Sequence, residues 1–289
     1  MQWNREFTTQ NKSYFLSWKP LYKFLSCEYS FANLAMWGEL YDIQWCDFDG
    51  TPLIHIKEDQ YFLFPHIPKI TPEQLHTISN IMIKEGFSGK FTQVPEEYIL
   101  KYPELTNYYT ISQNSDFSDY IHSTERLSLL KGRKLRKKRN LISQFIKKNP
   151  EYKVIQLNKK HFDDCLELTK NGIEKTVTGK DEEIQAIQKA FSLYTELDLN
   201  GIAVYTGDRL AAFSIFSRNI DNCYVIHFEK NDRKQKGSAQ IINLKTAEFL
   251  SDKCEFINRE QDLGVPGLKK AKLSYDPDRI LLNYELTPK

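Results

Sequence analysis

The stretch from Cys223 to Tyr275 constrains the fold more than any other part of the chain. It reads as an apolar strand (Cys223 to Lys230), a polar loop (231–236), a helix (Gly237 to Asp252) and a second strand (Cys254 to Asn258). The run Tyr224-Val225-Ile226-His227-Phe228 passes straight into Glu229-Lys230, and the second strand passes straight into Arg259-Glu260. Charged groups at the carboxyl ends of neighbouring strands mark the crevice where an open α/β sheet places its ligand. The polar passage then continues through Gln261, Asp262 and Gly264.

A chain of 289 residues is comfortable for two domains. Its 18 Phe and 16 Tyr can fill a large core. The 40 Lys and Arg nearly balance the 38 Asp and Glu, leaving a formal charge of +2. An anionic partner must therefore be argued from local clusters and not from a global field. No apolar run approaches the roughly 18 residues that span a bilayer, and the opening residues lack the apolar core of a signal peptide. The five cysteines (Cys27, Cys46, Cys165, Cys223, Cys254) are odd in number and without close pairing, which reads as reduced thiols in a cytoplasmic protein. The six histidines lack metal spacing, and no P-loop, nucleophile elbow or dinucleotide glycine pattern is present.

Alternation and turn residues predict strands near 41–45, 53–56, 61–64 and 90–93, with Asp49-Gly50 as a tight turn. Thr71-Pro72-Glu73-Gln74 is a helix start with a capping box, and Gly86 is its stop. From Glu125 to Lys148 a basic helix is predicted. Every position from 131 to 139 except Gly132 and Leu135 is Lys or Arg, and this run interrupts the apolar stripe of Leu127, Leu130, Leu141 and Phe145. A helix centre charged all round faces solvent or an anionic partner. After Asn149-Pro150 come a strand (152–157), two helices (158–169 and 181–197), a hairpin about Gly207-Asp208, the Cys223 stretch, a short helix (268–273) and a last strand (280–286). The halves share one element order, which suggests two copies of one mixed α/β fold: residues 1–122 and 150–289, joined by the basic helix at 123–149.

That order is the one used by GNAT N-acyltransferases. Three segments resemble something narrower: Glu229-Lys230 with Gly237 to Asn243, Ile257 to Gly264, and Gly267 to Pro277. They look like the family built on the C-terminal domain of phosphatidylglycerol lysyltransferase, and Lys137-Lys138-Arg139-Asn140 fits its basic segment. The resemblance implies two tandem GNAT-like domains, each a mixed, mostly antiparallel sheet flanked by helices. Characterised relatives move an aminoacyl group from aminoacyl-tRNA to the head group of an anionic lipid, and Fem-type peptidyltransferases share the two-domain plan. The resemblance therefore implies an aminoacyl- or acyltransferase acting on a lipid or another amine or hydroxyl acceptor. It requires no cofactor beyond a donor substrate, either aminoacyl-tRNA or acyl-coenzyme A. Two rivals stand beside it: a non-catalytic module that binds tRNA or an anionic surface, and a coenzyme A-dependent N-acetyltransferase on a small amine.

The candidate proton acceptors are Glu229, Glu260 and Asp262. The candidate donor or phosphate site comprises Lys230, Arg233, Lys236, Gly237, Ser238, Ala239, Arg259, Lys269 and Lys272. A helix N-terminus with small residues admits an anion, and Arg259 suits phosphate. A purely structural ion-pair network competes for the 259–262 run. Arg133, Arg136, Lys137, Lys138 and Arg139 form a candidate basic groove for an acceptor stem, with a solvated face as its plain alternative. His227, in an apolar strand, reads as a core residue with satisfied hydrogen bonds and not as a base.

Overall fold

The computed structural model describes residues 2–17, 23–58, 60–172 and 180–289. The chain divides into two compact units. The first comprises Met1–Asp119, Gln261–Val265 and Ile280–Lys289, and the second Tyr120–Glu260 and Pro266–Arg279.

In the first unit, α1 (Thr9–Ser17) and α2 (Phe31–Trp37) precede a meander of β1 (Ile43–Phe48), β2 (Thr51–Ile56) and β3 (Tyr61–Leu63). Asp49 and Gly50 both take positive φ (54° and 79°), as a two-residue hairpin requires. Next come α3 (Pro72–Lys84), β4 (Lys90–Val94), α4 (Glu96–Lys101) and β5 (Tyr109–Gln113). The expected capping box holds α3: Gln74 N–H donates to Thr71 Oγ1 at 3.3 Å and Thr71 N–H to Gln74 Oε1 at 2.9 Å. Phe62, Phe64, Leu75, Met82, Phe91 and Tyr109 form the core under this sheet.

The second unit begins with β6 (Asp119–Ser123), α5 (Thr124–Leu129), α6 (Arg136–Lys148) and β7 (Lys153–Gln156). It continues through α7 (Phe162–Gly172), α8 (Lys180–Ser192), β8 (Asn200–Thr206), β9 (Arg209–Ile220) and β10 (Cys223–Asn231). Then follow α9 (Ser238–Leu250), β11 (Phe256–Asn258), α10 (Pro266–Leu273) and β12 (Arg279–Leu281), after which β13 (Tyr284–Pro288) belongs to the first unit. The seven-stranded sheet runs β12-β6-β11-β10-β9-β8-β7, with β10 and β11 parallel. The six-stranded sheet runs β1-β2-β3-β4-β13-β5.

Three expectations change. The single last strand over 280–286 is two strands, and β13 pairs antiparallel with β4 and β5 inside the first unit. The break falls at buried Asn283, whose Oδ1 accepts hydrogen bonds from Gln93 N–H (2.7 Å) and Thr92 Oγ1 (3.2 Å). The boundaries 122/123 and 149/150 therefore differ from the division of the structure, in which the C-terminal strand returns to the N-terminal sheet. The basic helix is also two helices. Leu130 takes φ +46° at the end of α5 and Gly132 takes φ +98°, so the gap in the apolar stripe is a turn. Arg139 Nη1 closes it by donating to the carbonyls of Leu130 and Gly132.

Finally, α6 is not a joint between domains. Leu135, Ile142 and Phe145 lie in one core with Ile241 and Ile242 of α9 and with Phe216, Tyr224 and Ile226 of the sheet. Gly237, at the foot of α9, has φ +92°, and a Cβ there would stand 2.5 Å from Leu141 O and 2.8 Å from Phe145 Cβ. Only glycine lets α6 approach this closely.

Candidate functional site

The site grows from a parting of β10 and β11. They pair only over Cys223↔Phe256, Tyr224↔Ile257 and Val225↔Asn258. Beyond that, β10 continues to Asn231 on β9, while the other chain follows β6 through Arg259 N–H to Tyr120 O. Two side-chain pairs cross the opening. Arg259 Nη2 donates to Glu229 Oε1 at 2.7 Å, and His227 Nδ1 lies 3.3 Å from Glu260 Oε1.

A β-bulge puts these pairs on opposite faces. The register steps from Ile226↔Phe216 to Phe228↔Ile215, leaving His227 as the extra residue. Tyr224, Ile226 and Phe216 face α9. Because strand side chains alternate, one inserted residue reverses the parity that follows. Glu229 therefore also faces α9, where Asn243 Nδ2 donates to its Oε2 at 3.4 Å. His227 faces away, and its Nε2 lies 2.8 Å from Ser217 Oγ.

On the α9 face, two cations converge on one buried ring. Lys138 Nζ stands 3.9 Å above the Tyr275 centroid, and the Arg259 guanidinium carbon lies 4.8 Å from it. Lys138 Nζ also donates to Ser274 Oγ at 2.6 Å. Burial first, then repulsion from Arg259 and Lys137, lowers the Lys138 amine to about 8, with Glu229 acting in the other direction. Arg259 Nη1 is buried and has no hydrogen-bond partner among the described residues. Behind it, on β6, both ring nitrogens of buried His122 are likewise without partners. Burial, reinforced by Arg259, Arg126 and Lys272, holds His122 neutral well below the ordinary histidine range. The result is a half-enclosed patch with two cations, Lys138 and Arg259, and one carboxylate, Glu229.

The structure thus brings together Glu229, Arg259 and Lys138 on one face and sets Glu260 beside His227 on the other. It does not gather the rest. Asp262 belongs to the first unit, fully buried, with Oδ1 accepting from Gly264 N–H at 3.0 Å in a tight turn. Lys230 pairs with Glu183 of α8 at 2.5 Å. Arg233 and Lys236 are exposed on the loop before α9. Gly237 lies against α6, and Ser238 Oγ donates to Asp232 O (2.9 Å) while accepting from Asn231 Nδ2 (3.0 Å). Ala239 is partly buried in the first turn of α9. Lys269 and Lys272 lie half-exposed on α10, with Lys272 Nζ 5.8 Å from the Tyr120 ring. Arg133, Arg136 and Lys137 are exposed, while Arg139 holds the α5–α6 turn. Sequence reasoning did not place Ser217, His227, Asn243 or Tyr275 in the site. A histidine directly before the Phe228-Glu229 strand end was the available signal. The thiols of Cys46, Cys165 and Cys254 are all pushed up by burial, which suits strand and helix packing and not nucleophilic chemistry.

The fold defines the class first. An acetyltransferase of the GNAT family from Colwellia psychrerythraea matches 100% of this chain and 99% of its own, with a TM-score of 0.53 at 9% identity. The chain carries two mixed sheets flanked by helices, a tandem GNAT-like architecture. Within that class it belongs to the phosphatidylglycerol lysyltransferase C-terminal family, whose model matches residues 19–285. A conserved protein of unknown function from Bacteroides thetaiotaomicron is 25% identical over 100% of both chains, with a TM-score of 0.91. L-PGS from Bacillus licheniformis has a TM-score of 0.62 at 12% identity, over 88% of this chain and 86% of that one. An uncharacterized protein from Mycoplasmoides gallisepticum is 25% identical over 177 residues. That match spans 58% of this chain and only 55% of the relative, about half of its length.

Proposed function

We propose that this protein is an acyltransferase of the aminoacyl-transfer type, working in the crevice between β10 and β11. The single observation that carries the reading is Arg259: a guanidinium clamped to Glu229 on one edge, with a buried Nη1 on the other that has no hydrogen-bond partner among the described residues. Such a group binds an anionic substrate at a fixed orientation. Lys138, on the same Tyr275 ring, adds a second cation.

The reaction is direct transfer. The acceptor's hydroxyl or amine attacks the ester carbonyl of the donor. Its proton passes to a carboxylate of the crevice as the new C–O or C–N bond forms. The ester C–O bond then breaks, and the leaving oxygen takes that proton back. Positioning and charge stabilisation supply the rate. The family to which the chain belongs favours an aminoacyl ester as donor and an anionic lipid head group as acceptor.

The test is incubation with tRNA charged with labelled lysine and with phosphatidylglycerol vesicles, followed by a panel of soluble amines. Labelled product is expected from the wild type. Arg259→Lys keeps the charge but loses the fork, and is expected to lower kcat/KM by roughly 100-fold. No transfer to any acceptor by the wild type would overturn the reading.

A further inference from the structure

We infer that Ser217 and His227 are positioning residues that orient Glu260 as the proton acceptor of the transfer, an inference that rests on the reading above. Ser217, His227 and Glu260 form one chain of contacts: Oγ to Nε2 at 2.8 Å, then Nδ1 to Oε1 at 3.3 Å. The residue types are those of a nucleophilic triad, but the order of burial is inverted. Ser217 is 3% exposed, the His227 side chain 0%, and the Glu260 side chain 24%. In a nucleophilic triad the serine meets the substrate and the carboxylate is innermost. Here the carboxylate is the member that meets solvent, so Glu260 is the end of the chain of contacts that a reacting group can reach, and Ser217 anchors it from inside.

Two backbone irregularities build this arrangement. The bulge on β10 leaves His227 as the extra residue, on the face away from α9 where Ser217 also lies. Glu260 takes φ +56°, which is uncommon for a residue with a Cβ, and its N–H is held by Asn258 Oδ1 at 2.7 Å. A strained residue next to a bulge, with their side chains in contact, is the pattern of a site whose geometry matters.

Of the two neutral tautomers, the one that donates Nδ1–H to the Glu260 carboxylate leaves Nε2 to accept from the Ser217 hydroxyl. During transfer the proton of the attacking group moves to a Glu260 oxygen and then to the leaving oxygen, while His227 keeps its own proton throughout.

Long-range ¹H–¹⁵N NMR of the His227 ring in the full chain tests the chain of contacts independently of turnover. A neutral ring with Nδ1 protonated is expected, and Ser217→Ala should shift Nε2 while Ser217→Thr leaves it in place. In the lysyl-transfer assay, Glu260→Gln should lower kcat by roughly 100-fold. Ser217→Ala and His227→Asn should lower it by roughly tenfold, and Ser217→Thr should restore it. A ring protonated at Nε2, or a Ser217→Thr variant as impaired as Ser217→Ala, would overturn the inference while leaving transfer itself standing. Labelling of Ser217 by a fluorophosphonate would overturn it in favour of a serine nucleophile. Absence of transfer in the wild type, with the NMR result as expected, would remove the proposed function and with it the role given to Glu260.

Discussion

Lys138 illustrates how little separates a surface cation from a site residue. Arg136 and Lys137, its neighbours in α6, are exposed, yet Lys138 lies over the Tyr275 ring with its amine lowered to about 8. Between about 8 and the ordinary 10.5, the unfolded chain holds a proton that the folded chain has released. Stability therefore rises with pH across that window, from this group alone. NMR titration of the Lys138 Nζ should give a midpoint near 8. Arg259→Gln should raise it, because the guanidinium is the larger of the two cationic neighbours that depress it. None of this is visible in a run of seven basic residues, where Lys138 looks like any other. Its difference comes from Tyr275 and Arg259, more than 100 positions away in the chain.

At the scale of elements, the contact of α6 with α9 carries much of the second unit. Gly237→Ala would drive a Cβ into the Leu141 carbonyl at a φ of +92°. A loss of more than about 1 kcal/mol is expected, read as a lower unfolding midpoint in urea. If Gly237 served only an anion, binding would suffer and the midpoint would stay. In the first unit, Asn283→Ala strips Gln93 N–H of its acceptor at a buried position and should weaken the unit by about 1–3 kcal/mol. That is measurable as faster amide exchange in β4 and β13. The elements themselves were largely legible: the capping box of α3, the hairpin at Asp49-Gly50, and the strand–helix–strand order of β10, α9 and β11 follow from local chemistry. The break in the basic helix was not, because Leu130 in a left-handed conformation has no local signature. Nor was the return of β13 to the first sheet, since an alternating strand does not specify its partner. The bulge at His227 was equally hidden, so the division of the two charged strand ends onto opposite faces was not foreseen.

Over the whole molecule, buried neutral histidines set the response to acid. Burial lowers His66 to about 3 and His55 to about 4, and it holds His122 well below its ordinary 6.5. Below that value the unfolded chain takes up protons that the folded chain refuses. Stability is therefore lost as pH falls from 6.5, by at most about 1.4 kcal/mol per pH unit for each histidine. Thermal melts between pH 6.5 and 5 should show this slope, and His66→Phe should make it shallower. The sequence, with six scattered histidines, could not separate these three from the others, because the effect arises from burial.

The central claim is that Arg259 and the crevice around it handle an anionic donor or acceptor during transfer. The most direct measurement is the initial rate of lysyl transfer from charged tRNA to phosphatidylglycerol, compared between wild type and Arg259→Lys in protein of matched urea stability. Product is expected from the wild type, with roughly 100-fold less from the variant. Equal rates from the two proteins would contradict it.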